Sequence, residues 1–181
     1  MTPIEALLRW VFLAALAVSG NAKPIPDALA RAIATHAFYS PMTETLDGPK
    51  KTAAMLVALS WSEGGFNPSA IGDGGAGHCA LGIFLPNNSR TAEGWLGAEL
   101  DADPDKCVTT GLRILRYSVE RGPTSCRFCL YARGPAWRNK CVHGSTEGPC
   151  AEGEKPIALQ LDAYRSSLTR RALNVPLENT P

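Results

Sequence analysis

Residues 49–65 read Pro-Lys-Lys-Thr-Ala-Ala-Met-Leu-Val-Ala-Leu-Ser-Trp-Ser-Glu-Gly-Gly. Pro49 suits the first turn of a helix, and Gly64 and Gly65 stop one. Between them Ala53, Ala54, Met55, Leu56, Val57, Ala58, Leu59 and Trp61 cover every side of a 3.6-residue helix instead of one stripe. Such a helix is buried on most of its sides. The segment 49–63 is therefore predicted as the central helix of the domain, with Glu63 at its end.

Other helices are expected around it. Pro26 and Asp27 open a segment to about Phe38, with Ile25, Leu29 and Ile33 on one face. Asp103 and Pro104 read as N-cap and first-turn proline of a helix to about Glu120, with Val108, Leu112, Leu115 and Val119 facing inward. A last helix over residues 155–173 carries Ile157, Leu161, Tyr164 and Leu168 at a/d-type spacing. Arg170 and Arg171 in its final turn suit the helix dipole. Residues 175–181, with Pro176 and Pro181, are expected to form a loose tail. No alternating strand pattern, internal repeat or low-complexity tract is present, so the class is mostly α.

The chain has 181 residues, 45% of them hydrophobic, which suits a single cored domain expected over 23–174 and excludes an intrinsically disordered chain. Eighteen Lys and Arg face 17 Asp and Glu, a net charge of +1. That balance lacks the basic surplus that phosphate-backbone binding requires, so nucleic acid is not the expected partner.

Residues 1–22 have the pattern of an export signal. Trp10 to Val18 are uninterruptedly apolar, and Ser19, Gly20, Asn21 and Ala22 follow with a small-x-small site at Gly20 and Ala22. The run is shorter than the roughly 20 residues that span a bilayer. The alternatives are an uncleaved anchor, the one route by which a membrane would be involved, or a buried first helix.

Six cysteines, Cys79, Cys107, Cys126, Cys129, Cys141 and Cys150, make an even set that agrees with export to the periplasm or the cell exterior. Six cysteines allow about 15 pairings. Cys107 and Cys126 flank the 103–120 helix and are expected to pair, with Cys79 structural and its partner open. The competing reading is zinc, held by Cys126-x-x-Cys129 with Cys141, His143 and Cys150. Disulfides are preferred over it, and no metal or cofactor is expected.

Glu63 stands out by its position. A helix C-terminus disfavours negative charge, and an apolar environment disfavours the ionised form, so a buried carboxyl there is suited to act as a proton donor. The segment that follows, 66–78, is rich in small residues (Ser69, Ala70, Gly72, Gly74, Gly75, Ala76 and Gly77). A flexible loop of this kind lets a chain-like ligand approach the backbone closely. No Lys-Ser/Thr follows the glycines, which excludes a phosphate-binding P-loop. His78 is expected to be a surface or loop histidine. Trp61 and Trp95 either line a groove or pack in the core.

Three ordered motifs resemble one family. Trp61-Ser62-Glu63-Gly64-Gly65-Phe66-Asn67-Pro68-Ser69-Ala70, followed by Gly82-Ile83-Phe84, is similar to the opening motif of soluble lytic transglycosylases and goose-type lysozymes. Cys107-Val108-x-x-Gly111-Leu112-x-x-Leu115 is similar to the family's next helix, and Tyr131-Ala132-Arg133-Gly134-Pro135 to its Tyr-Asn-x-Gly-Pro turn. The three cover about residues 50–140. Gly64 stands where the family has Ser, Leu85 where it has Gln, and Ala132 where it has Asn.

This resemblance implies a lysozyme-like domain with a cleft, stabilised by disulfides. It also implies an enzyme acting on peptidoglycan strands at the β-1,4 bond between N-acetylmuramic acid and N-acetylglucosamine. Glu63 would serve as acid and then base, giving 1,6-anhydro products, with Tyr131 beside it to orient the carboxyl or stabilise charge. Gly82, Ile83 and Phe84 would contact the glycan, although Ile83 and Phe84 serve equally as core. Asp73 would position water if the enzyme were instead a hydrolysing muramidase, because inversion needs a second carboxylate about 6.5–9.5 Å from the acid. A catalytically inactive glycan-binding or scaffold module is the alternative from another class.

Overall fold

The structure, a computed structural model, describes residues 1–121, 127–128, 131 and 157–177. It is mostly helical, with one small three-stranded sheet. The chain forms two compact units, Met1–Leu112 with Leu168–Pro181, and Arg113–Ser167.

In the first unit α1 (Pro3–Ser19), α2 (Asp27–Tyr39) and α3 (Gly48–Gly64) pack against one another. As its composition predicts, α3 is buried without a break from Thr52 to Ser60. Its end is a Schellman turn. The Phe66 N–H donates to Ser60 O and the Gly65 N–H to Trp61 O, both at 3.0 Å, with Gly65 at φ +54°. The fully buried Phe66 ring packs on Trp61, centroids 5.2 Å apart, which fixes how the chain leaves the helix. Ile25, Leu29 and Ile33 are all buried, as their spacing predicts.

The segment with the export-signal pattern is a core element of this unit. Leu7, Trp10, Val11, Ala14, Ala15 and Val18 of α1 are buried. The Trp10 indole N–H donates to Val175 O at 2.9 Å, and Arg171 Nη1 to Val18 O at 3.3 Å. A capping box of Thr2 and Glu5 starts α1, and the left-handed Gly20 ends it, so the small residues after Val18 have a structural use as a helix stop. This packing has the form of a buried first helix. No helix among the described residues is long and apolar enough to cross a membrane.

Three two-residue strands follow α3, a feature too short for sequence alternation to announce. β1 (Ile71–Gly72), β2 (Gly77–His78) and β3 (Ile83–Phe84) form an antiparallel sheet in sequence order. Ile71, His78 and Ile83 stand in one row, and Gly72, Gly77 and Phe84 in the next. The loop expected to be flexible is thus a paired hairpin, closed by a 3-10 turn at Asp73–Gly75. The short α4 (Gly97–Ala102) comes next. It leads into α5 (Pro104–Arg121), whose N-cap is Asp103 as expected: Oδ1 accepts the Asp105 N–H at 2.9 Å.

Cys107, buried in the first turn of α5, pairs with Cys79, not with Cys126. The two Cα atoms lie 6.2 Å apart, because Cys107 faces inward against the segment that follows β2 and not back along the chain. The bond closes a 28-residue separation, and such a link contributes about 2–5 kcal/mol. Cys126, Cys129, Cys141 and Cys150 lie outside the described residues, as does the zinc arrangement built on them. Among the described residues no His, Cys, Asp or Glu cluster is arranged to hold a metal.

The second unit contains the end of α5 and the start of α6 (Ile157–Leu173). Tyr164 of α6 is exposed, contrary to its predicted inward position, while Asp162, Arg165, Leu168 and Ala172 are buried. The buried face is rotated by about one residue because it includes polar groups with partners. Asp162 Oδ1 accepts the N–H of the buried Phe128 at 2.8 Å. A hydropathy count cannot anticipate such a bond.

Candidate functional site

Glu63 lies in the last turn of α3, where the run of buried residues has ended. Its residue is exposed, so the apolar burial expected for it is absent. The reason is geometric: α3 emerges from the bundle at Trp61, and Glu63 projects beyond the packed section. It does not project into open water on every side. Glu63 lines a cleft of about 140 Å³ together with Ala70, Ile71, Gly72, Asp73, Gly77, Cys79 and Gly82. A second hollow, between α1 and Pro176, has only about 10 Å³, room for a single water.

The cleft is shaped by the missing side chains of its glycines. Gly82, at φ +61°, approaches Glu63 so closely that an added Cβ would stand 2.8 Å from Oε2 and 3.0 Å from the Glu63 Cβ. Only glycine combines that backbone angle with that approach. Gly64 is similarly confined, since a Cβ there would meet the Ala80 Cα and O at 3.0 Å. This contact accounts for glycine where the resembling motif has serine.

The remaining sequence-predicted residues separate into groups. Asp73 lines the same cleft as Glu63, exposed and at φ +48° in the hairpin turn. Ile83 is 2% exposed and its side chain packs in the core, the alternative that the sequence leaves open for it. Phe84, its neighbour in β3, is 58% exposed and shares the register row of Gly72 and Gly77. An aromatic ring at the edge of a glycine surface is a suitable platform for an apolar sugar face. Tyr131 belongs to the second unit, where its N–H donates to Ser118 Oγ at 3.0 Å and the Arg165 guanidinium lies 5.9 Å from its ring centroid. Residues 132–135 of its motif lie outside the described residues.

Neither tryptophan lines this cleft. Trp61 is half-buried on Phe66, and Trp95 is half-buried with Lys106 Nζ 5.5 Å from its ring. His78, on β2, is half-buried: its Nδ1 lies 2.9 Å from Asp101 Oδ2 in a pair whose side chains are 16% and 17% exposed. Asp101 was not legible in the sequence, because its partners are 22 and more residues away and no motif contains it.

Chemically, the cleft offers one carboxyl at a helix end, a second carboxyl in the same hollow and bare backbone along one wall. This set can transfer a proton to a bond held beside it, and it contains no thiol nucleophile, since Cys79 is bonded to Cys107. The chain matches no protein-family model, no curated protein and no solved structure.

Proposed function

We propose that the protein is an exported, lysozyme-like enzyme that cleaves peptidoglycan as a lytic transglycosylase, acting in the periplasm or outside the cell. The observation that carries this reading is Glu63 at the end of the central helix, lining a cleft walled by Gly72, Gly77 and Gly82. The motif resemblance points to the same residue. The buried Cys79–Cys107 bond suits an oxidising compartment.

A glycan strand lying in the cleft would bring a glycosidic oxygen beside the Glu63 carboxyl. Glu63 then donates its proton to the glycosidic oxygen while the bond from that oxygen to the muramyl C1 breaks. The N-acetyl group of the muramyl residue stabilises the oxocarbenium-like centre, so no protein nucleophile is needed. The Glu63 carboxylate takes the proton of the C6 hydroxyl as its oxygen bonds to C1. The 1,6-anhydro ring closes, no water is consumed, and Glu63 is again protonated.

Asp73 in the same cleft favours a second reading, a muramidase in which Asp73 activates water. Mass analysis of fragments released from purified sacculi separates the two. Transglycosylation yields anhydro-muramyl ends one water lighter than the reducing ends of hydrolysis. Anhydro ends are expected; reducing ends alone would replace this mechanism with the hydrolytic one, and no released fragment would refute both.

A further inference from the structure

We infer that Asp101 is a positioning residue for Glu63, holding the cleft wall that faces the acid; the inference rests on the proposed glycan cleavage. Asp101 is in the last turn of α4 and reaches two parts of the site at once. Its Oδ1 accepts the Cys79 N–H at 2.7 Å, its Oδ2 lies 2.9 Å from His78 Nδ1, and its backbone oxygen accepts from Ser69 Oγ at 3.0 Å. Ser69 opens the rim that continues through Ala70 to Asp73, and Cys79 opens the turn that ends at Gly82.

That turn is the link to the acid. Cys79 has φ +56°, a left-handed conformation that a non-glycine residue keeps only when its surroundings impose it. Two constraints do so, the Asp101 carboxylate on the Cys79 amide and the bond to Cys107. The Cys79 carbonyl then accepts the Gly82 N–H at 3.1 Å, which brings Gly82 against the Glu63 carboxylate. Hydrogen bonds in a site largely shielded from water are stronger than those exposed to it. Losing Asp101 leaves the turn tethered by its disulfide but free to shift beneath Glu63.

The test compares wild type, Asp101→Ala and Asp101→Asn on solubilised, uncrosslinked peptidoglycan strands, without reductant and with folding checked by circular dichroism. Asp101→Ala is expected to lower kcat about 10- to 100-fold, the effect of a small misplacement of a reacting group, with KM changed less than about twofold. Asp101→Asn keeps an acceptor oxygen for Cys79 and is expected to recover most of kcat. A folded alanine variant with wild-type kcat, or an asparagine variant as slow as the alanine one, overturns the inference. If the alanine variant does not fold, amide exchange in the wild type decides. Slow exchange at Cys79 and Gly82 is expected, and exchange as fast as in an exposed loop overturns it. A wild type that releases no fragments refutes the functional reading itself, whereas an active wild type insensitive to Asp101 refutes only this positioning.

Discussion

Glu63→Gln is expected to lower the release of glycan fragments from sacculi by about 10²–10⁴-fold, the usual contribution of a positioned acid or base. That corresponds to about 3–5 kcal/mol of transition-state stabilisation. Stability is expected to change little. Glu63 is exposed, glutamine has nearly the same shape, and the tight approach of Gly82 leaves room for an isosteric group. An amide can neither donate the acid's proton nor take one from a hydroxyl, so both halves of the reaction fail together. Fragment release measured beside a denaturation curve checks both. Unchanged release would remove Glu63 from the chemistry, and an unchanged cell-wall phenotype would favour the inactive scaffold.

Trp10→Ala is expected to destabilise the protein by about 3–5 kcal/mol, the range for removing a large buried aromatic side chain. Trp10 is 2% exposed, its N–H donates to Val175 O, and Lys50 Nζ lies 5.3 Å from its ring centroid. Lys50 Nζ also donates to Leu173 O and Val175 O, so the indole sits where α1, α3 and the chain's C-terminal segment meet. Against a total stability of about 5–15 kcal/mol this loss is severe. Leu13→Ala, on the exposed side of the same helix, serves as control with a change within about 0.5 kcal/mol. Urea unfolding of both variants checks the difference. Equal, small losses would mean that α1 does not contribute to the core. The same burial implies that a chain processed at Ala22 would expose the faces of α2 and α3 that α1 covers.

The elements that carry the site were legible where the signal was local. Burial on all sides of α3, its stop at the glycine pair and the Asp103 cap of α5 follow from neighbouring residues alone. The three short strands were not legible, because two residues cannot establish an alternation. Long-range partners were hidden for another reason: Cys79 meets Cys107, and Asp101 meets His78 and Cys79, through the fold and not through spacing. In the site itself, Glu63, Asp73 and Gly82 were singled out and do share one cleft. Ile83 and Phe84 could not be told apart by sequence, since neighbouring strand residues face opposite ways and either register was open. The expected burial of Glu63 failed because its helix outlasts the bundle by about one turn.

The central claim is that a glycan strand occupies the glycine-walled cleft beside Glu63. It is tested most directly by titrating the Glu63→Gln protein with a soluble peptidoglycan tetrasaccharide and following its amide resonances. Saturable shifts at Gly72, Gly77, Gly82 and Phe84 are the predicted result; no saturable shift, or shifts confined to surfaces away from these residues, would contradict it.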